Sequence, residues 1–268
     1  MSSRTELGNA EINSLAILTY HSISNDEGPT SIPPDVFRMQ MKAIAELGVD
    51  AIGLDDVERW MKGEASLSRP SIAITFDDAF QDFADAAFPV LQEYGFRSCV
   101  FVPTDLAGGA ENWEGANIPP RALMEWTTIR ELSAAGVDFG SHSCRHRDLV
   151  KLSENELEDD LAASRRELEN AISRETPHFA PPYGGSNERV IQAIARHYSL
   201  SVGVRLDRAR RTSPIHDLPR IEMHYYRDEA RWRAFLAGRD ALYFTTRRAL
   251  RGAREFAESA VGSLRRSS

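Results

Sequence analysis

Two short segments of this chain carry residue types at spacings that could do chemistry. The first is Ile72-Ala73-Ile74-Thr75-Phe76-Asp77-Asp78, an apolar run that ends abruptly in two adjacent carboxylates. Neighbouring carboxylates repel one another, and a cation relieves that repulsion while taking one of them as a ligand. A solvated turn, a helix N-cap and a phospho-acceptor pocket also fit such a pair. The second segment is Gly140-Ser141-His142-Ser143-Cys144-Arg145-His146. Histidines four residues apart lie on one face of a helical turn and can hold one metal ion from the same side. Both segments follow a strand pattern, so in an α/β fold both belong to the rim where parallel strands end. Asp78, His142 and His146 would then form an N/N/O site with an open position for water, the pattern of a catalytic zinc or similar ion. Cys144, between the two histidines, reads as a small packing residue. A third segment, Phe179-Ala180-Pro181-Pro182-Tyr183-Gly184-Gly185, reads as a rigid loop that can aim a backbone N–H at a substrate, or as a loop that merely turns the chain.

The elements that must position these residues follow from hydrophobic period and from turn and cap residues. Strands are expected over 15–21, 49–52, 71–76, 97–102, 137–140, 178–180, 200–204 and 218–223. Helices are expected over 35–47, 54–61, 80–94, 127–135, 153–173 and 187–197, the long one opening on a Ser153…Glu156 capping box. Repeated βα units argue for a parallel sheet or barrel with helices outside. No internal repeat and no linker divides the chain.

Composition bounds the rest. A chain of 268 residues with 42% hydrophobic and 27% charged residues is ordinary globular material. One domain of this size buries roughly 70–75% of its unfolded surface, so its core needs neither disulfides nor a structural metal. Two cysteines, Cys99 and Cys144, cannot make a disulfide framework or a thiolate zinc cluster, which leaves His and carboxylates to hold any metal. A net charge of −8 argues against nucleic-acid binding as the main role. No apolar run approaches the ~18 residues of a membrane span. The first residues, MSSRTELGNAEINS, lack the pattern of a secretory signal, so a cytoplasmic location is expected.

The order Thr75-Phe76-Asp77-Asp78, His142-Ser-x-x-His146, then Pro181-Pro182-Tyr183-Gly184 resembles the polysaccharide deacetylase family, carbohydrate esterase family 4, with its NodB homology domain. The resemblance runs from the first strand to Met223 and implies a deformed (β/α)7 barrel. It implies a metal-dependent hydrolase that removes N-acetyl groups from N-acetylhexosamine-containing glycans or their precursors and releases acetate. Residue by residue, Asp77 resembles the catalytic base. Asp78, His142 and His146 resemble the ligands of one divalent ion, zinc first, with Co2+, Ni2+, Mn2+ or Fe2+ as alternatives. Tyr183 would offer its N–H to the oxyanion, with Pro181, Pro182 and Gly184 shaping the loop. The family's acid is a His at a strand end. Leu18-Thr19-Tyr20-His21 matches that motif at the front of the chain, as in the circularly permuted poly-N-acetylglucosamine deacetylase branch, with His224 as the second choice. Three departures stand out. The Gly usual after the aspartates is Ala79, so a positive φ is not expected there. The base-orienting Arg would stand at position 180, where the residue is Ala, and Arg220 is the candidate replacement. The Asp-x-x-Asp-Trp segment has no identifiable counterpart.

Two other classes of protein fit the same motifs. One is an inactive, carbohydrate-binding member of the fold; the other is an amidase acting on a small or lipid-linked N-acyl substrate. Within the chain, residues 1–226 are expected to form the deacetylase domain and 227–268 a basic helical extension packed on it. That extension holds ten arginines against five acidic residues, a charge of +5 that leaves −13 on residues 1–226. Leu242, Thr246, Ala249/Leu250, Ala253, Phe256/Ala257, Ala260/Val261 and Leu264 recur at helical spacing, with Arg247, Arg248, Arg251 and Arg254 largely off that stripe. A terminal helix packed on the barrel fits this pattern, and so does a peripheral membrane contact. Gly238, Gly252 and Gly262 would each weaken such a helix by about 1 kcal/mol, enough to break it.

Overall fold

The computed structural model describes residues 12–250 and 252. In chain order the strands and helices are β1 (Ser14–Tyr20), α1 (Pro34–Glu46), β2 (Asp50–Ile52), α2 (Leu54–Met61), β3 (Ser71–Phe76), α3 (Phe88–Tyr94), β4 (Cys99–Val102), α4 (Trp126–Ala134), β5 (Asp138–Ser141), α5 (Glu154–Ile172), β6 (His178–Phe179), α6 (Glu188–His197), β7 (Leu200–Leu206), β8 (Ala209–Arg210), β9 (Leu218–Glu222) and α7 (Glu229–Leu236). Residues 241–250 are again helical.

Seven of these strands run parallel and close on themselves in the order β1-β3-β4-β5-β6-β7-β9, because β3 pairs with both β1 and β4. The short β2 adds to β3, and β8 returns antiparallel against β1. Helices surround the closed sheet, giving a deformed (β/α)7 barrel. Strands covered on both faces are buried at nearly every position, as all six residues of β3 are. Alternation then divides the faces. Ala16, Leu18, Ile72 and Ile74 pack with Phe37 and Met41 of α1, whereas Leu15, Ile17 and Ala73 join an inner set with Phe101 and Val202. Space inside is tight: a Cβ at Gly140 would stand 2.6 Å from the Phe101 ring.

Two expectations need correction. The helix expected over 80–94 is helical from Gln81 but not regular throughout: residues 83–87 form a π-helical turn before regular α-helix resumes at Phe88. Pro89 lacks an N–H, so the regular ladder cannot run through this point and the turn widens. In the extension, α7 ends at Leu236, Gly238 just beyond it is left-handed with φ 69°, and a second helix follows. The stripe expected to pack does not. Leu242 is 84% exposed and Leu250 60%. Tyr243 and Phe244 face the core instead, held by a Tyr243 hydroxyl bond to the Tyr225 carbonyl and by an Arg248–Asp207 ion pair at 3.0 Å. The aromatic pair offers more area to bury than the leucine stripe, and it decides which face docks. The rest of the expected stripe, from Ala253 to Leu264, lies outside the described residues, as do Arg251 and Arg254.

One carboxylate ties α2 to the foot of the barrel and makes the fold acid-sensitive. Glu58 meets the His178 imidazole at 3.5 Å, the Lys62 ammonium at 2.6 Å and the Ser199 hydroxyl at 2.7 Å. His178 first, then Lys62 and Ser199, hold its carboxyl down to about 2 against the burial that pushes it up. A depressed carboxyl stabilises the fold above its unfolded value, near 4.5, and that contribution fades as pH falls toward 2. The Tm gap between the native protein and a Glu58→Gln variant should therefore be widest at neutral pH and narrow between pH 4.5 and 2. Melting curves at pH 7, 4 and 2.5 read this directly, and a gap independent of pH would remove Glu58 as its source.

Candidate metal centre and active site

Register places the first pair of residues. Tyr20 pairs with Phe76 across β1 and β3, and the Asp77 N–H donates to the Tyr20 carbonyl at 2.9 Å. His21 and Asp77 therefore leave the barrel side by side, with His21 Nε2 3.9 Å from Asp77 Oδ2. Register also places the histidines. Val102 pairs with Ser141 and Ser141 with Phe179, which brings the ends of β4, β5 and β6 to one level.

Asp78 Oδ1 lies 3.3 Å from His142 Nε2 and 3.2 Å from His146 Nε2, and all three side chains are buried. Two donors each about 2.1 Å from one ion at a tetrahedral angle stand about 3.4 Å apart, so the spacing fits a shared divalent ion. Two further observations support that fit. Asp78 Oδ1 is buried without a hydrogen-bond partner, although a carboxylate oxygen in such a place needs one. His142 Nδ1 lies 2.7 Å from the Ala180 carbonyl, which fixes the proton on Nδ1 and leaves the Nε2 lone pair facing Asp78. Position 180 contributes through its backbone. Burial works to raise the Asp78 carboxyl, but where the two imidazoles are instead protonated their hydrogen bonds and charge hold it well below the usual range.

Asp77 has a different environment. The Arg220 guanidinium donates to both its oxygens, each bond 2.7 Å long, and to the Gly203 carbonyl at 2.8 Å. A further contact to Thr75 Oγ1, at 3.2 Å, completes the fork. Arg220 is one of the largest fully buried side chains and reaches Asp77 from β9. Burial tends to raise the Asp77 carboxyl; the charge and hydrogen bonds of Arg220 outweigh it, so Asp77 stays ionised below the usual carboxylate range. Adjacent in sequence, the two aspartates point to different partners.

Backbone strain gathers here. Asp78, Ala79, Ser143, His146 and Tyr183 all have positive φ, at 74°, 56°, 64°, 53° and 58°. The value at Ala79 corrects the expectation against it. Ala79 is clamped from outside: its carbonyl accepts the Met124 N–H at 2.9 Å, next to a bridge between Phe80 and Leu123. Each such residue costs about 1–2 kcal/mol, sustained by the surrounding structure and typical of functional sites.

The loop after β6 puts Tyr183 over the site, its ring edge-on to His146 at 4.6 Å. The turn's own hydrogen bonds come from the N–H groups of Gly184 and Gly185, to the carbonyls of Pro181 and Pro182. Gly184 is required on two counts: its φ is 65°, and a Cβ there would meet Val204 at 2.2 Å. His224 lies on the turn after β9, in the wall of the same cavity as His21. Its Nδ1 has no hydrogen-bond partner among the described residues. One residue of the site escaped the sequence reading: Trp113 stacks on His146 with ring centroids 4.1 Å apart. Its only signal was a large aromatic in an otherwise polar, turn-rich loop. Among the described residues no helix is long and apolar enough to cross a membrane.

Comparison with known proteins follows the same lines. A family model described as Polysaccharide deacetylase matches residues 64–199, a span that holds Asp77, Asp78, His142, His146 and Tyr183. His21 and Arg220 fall outside it. YxkH of Bacillus subtilis (strain 168) is 24% identical over 210 residues, covering 78% of this chain and 71% of that one. The Streptococcus pyogenes deacetylase PplD, solved in complex with acetate, superposes with a TM-score of 0.69 at 24% identity, covering 79% of this chain and 92% of its own. IcaB from Ammonifex degensii superposes at 0.70 with 22% identity, covering 85% and 97%.

Proposed function

Because the chain belongs to the polysaccharide deacetylase family, we propose that it is a metal-dependent hydrolase that removes N-acetyl groups from an N-acetylhexosamine-containing glycan or glycan precursor. The observation that carries this reading is the placement of two differently held carboxylates on one rim. Asp78 faces two imidazoles, and Asp77 is kept ionised by Arg220. Asp78, His142 and His146 would hold one divalent ion, zinc first. When bound, such an ion supplies Lewis acidity toward an amide carbonyl and lowers the pKa of water. Asp77 then takes the proton of the attacking water, with Arg220 as the positioning residue that fixes both its oxygens. The Tyr183 N–H donates to the oxyanion of the tetrahedral intermediate. His21 gives a proton to the departing amine, so that acetate and a free amino sugar leave. Pro181, Pro182 and Gly184 fix the loop that presents the amide. Residues 1–226 would form the catalytic unit, and the extension from 227 would serve it as a wall.

Chelator treatment tests the reading. Acetate release from N-acetylglucosamine oligomers should fall to background when the metal is stripped and return when zinc or another divalent ion is restored. Unchanged release by stripped protein would overturn it.

A further inference from the structure

On the His21 side the site opens into a cavity of about 830 Å3, lined by His21, Tyr183 and Gly184 and, beyond them, by residues that belong to none of the motifs. Its wall joins His21 and His224 to Arg205 of β7 and to Arg247 of the 241–250 helix. Arg247 is held by aromatic residues. Its Nε donates to the Tyr243 hydroxyl at 3.1 Å, and its guanidinium carbon lies 5.2 Å from the Tyr225 ring and 5.3 Å from the Tyr243 ring. Tyr243 is itself fixed to the Tyr225 carbonyl. Among the described residues neither Arg247 nor Arg205 has a carboxylate within ion-pair distance. The next residue, Arg248, pairs with Asp207, and Arg220 pairs with Asp77. Two acids, Glu222 and Asp217, also border the cavity. The Asp217 carboxyl is pushed up by burial, with the Arg205 charge opposing.

An arginine that is pre-oriented by aromatic rings, has no ion-paired acid and faces a cavity beside the candidate active site is a fork awaiting an oxyanion. Arg205, exposed on β7 with the Asp217 charge nearby, adds a second guanidinium from the barrel without that aromatic hold, and the pair suits a group with several equivalent oxygens. Resting on the deacetylase reading, we propose that this cavity takes a phosphate ester carried by the N-acylated sugar, bound by Arg247 and Arg205. The substrate class is then a sugar phosphate or phosphate-linked glycoside in preference to a neutral glycan. The 241–250 helix is thereby a specificity element that the barrel motifs do not contain.

Direct binding separates this proposal from catalysis. Calorimetry with the metal-loaded full chain should show N-acetylglucosamine 1-phosphate binding about tenfold or more tightly than N-acetylglucosamine, as expected for charge-assisted hydrogen bonds. The ratio should persist in chelator-treated protein, which excludes phosphate bound to the metal as its source. Arg247→Ala and Arg205→Ala should each reduce it about tenfold, and Arg247→Lys should keep part of it. Arg248→Ala, on the same helix outside the cavity, controls for loosening of the helix and should keep the ratio. A micellar lipid-phosphate-linked N-acetylglucosamine serves as a second arm. A ratio present with the free 1-phosphate places recognition in the phosphate itself. A ratio confined to the lipid-linked sugar, and lost in both arginine variants, places it in a membrane-borne phosphodiester. No preference in either arm, a preference only in metal-loaded protein, or a ratio untouched by Arg247→Ala overturns the proposal. A protein that shows the ratio yet releases no acetate refutes the deacetylase reading and leaves this one standing.

Discussion

An Asp77→Asn enzyme should lose between about a hundredfold and ten-thousandfold in kcat/KM while retaining its metal, the range by which a positioned base accelerates a reaction. The two halves of that result have separate causes. Asparagine keeps the shape of Asp77 but cannot accept a proton from water, so turnover falls. The ligand set Asp78, His142 and His146 is unchanged, so metal content per chain should stay the same. Stability should also fall, because the amide can satisfy only part of the buried Arg220 fork. Acetate release and elemental analysis on one preparation read both halves. A variant with near-native turnover would show that Asp77 is not the base, whatever its metal content.

Arg220→Met should be the most destabilising single substitution in the site. It leaves the Asp77 carboxylate buried and unpaired, and breaking a buried ion pair from one side costs about 3–5 kcal/mol. At about 2–4 °C per kcal/mol for a chain of this size, Tm should drop by roughly 6–20 °C. The double variant Asp77→Asn/Arg220→Met should recover part of that loss, since it removes both charges together, and such coupling is the signature of a contacting pair. Arg220 acts through Asp77 and not on the substrate, so the milder Arg220→Lys should lower kcat far more than it raises KM. Thermal melts of the four proteins of the cycle, with steady-state rates for native and Arg220→Lys, check the account. Additive losses in Tm, or a loss in Arg220→Lys confined to KM, would count against it.

Much of this architecture was legible from residue order, for reasons visible in the strands. Apolar β-branched runs ending in polar residues mark parallel strands that stop at one rim, and Asp77, Asp78 and His142 sit at such ends. The barrel follows because helix-period segments alternate with those runs. What stayed hidden depends on contacts between distant segments. The positive φ of Ala79 is imposed by the Met124 and Leu123 strap, more than forty residues away, which no local propensity registers. Trp113 reaches His146 only because bridges such as Ala110–Ala122 fold its loop back over the rim. The docked face of the 241–250 helix was misread because period-counting weighted its leucines. The neighbouring aromatic pair Tyr243 and Phe244 found partners in Tyr225, Tyr226 and Phe235. Arg220, by contrast, was already the candidate orienter of Asp77, and its two-oxygen contact follows from β9 lying next to β1 in the closed barrel.

The central claim is that Asp77 and the Asp78–His142–His146 cluster together hydrolyse an N-acetyl amide. Its most direct measurement follows acetate and free amine together, by quantitative NMR, as zinc is titrated into stripped native protein and stripped Asp77→Asn protein supplied with N-acetylglucosamine oligomers and N-acetylglucosamine 1-phosphate. The account predicts equal amounts of acetate and amine from the native protein, rising with zinc to a plateau at one ion per chain, and close to none from the variant at the same occupancy. Zinc bound at one per chain in both proteins, with no acetate from the native protein on either substrate, would contradict it.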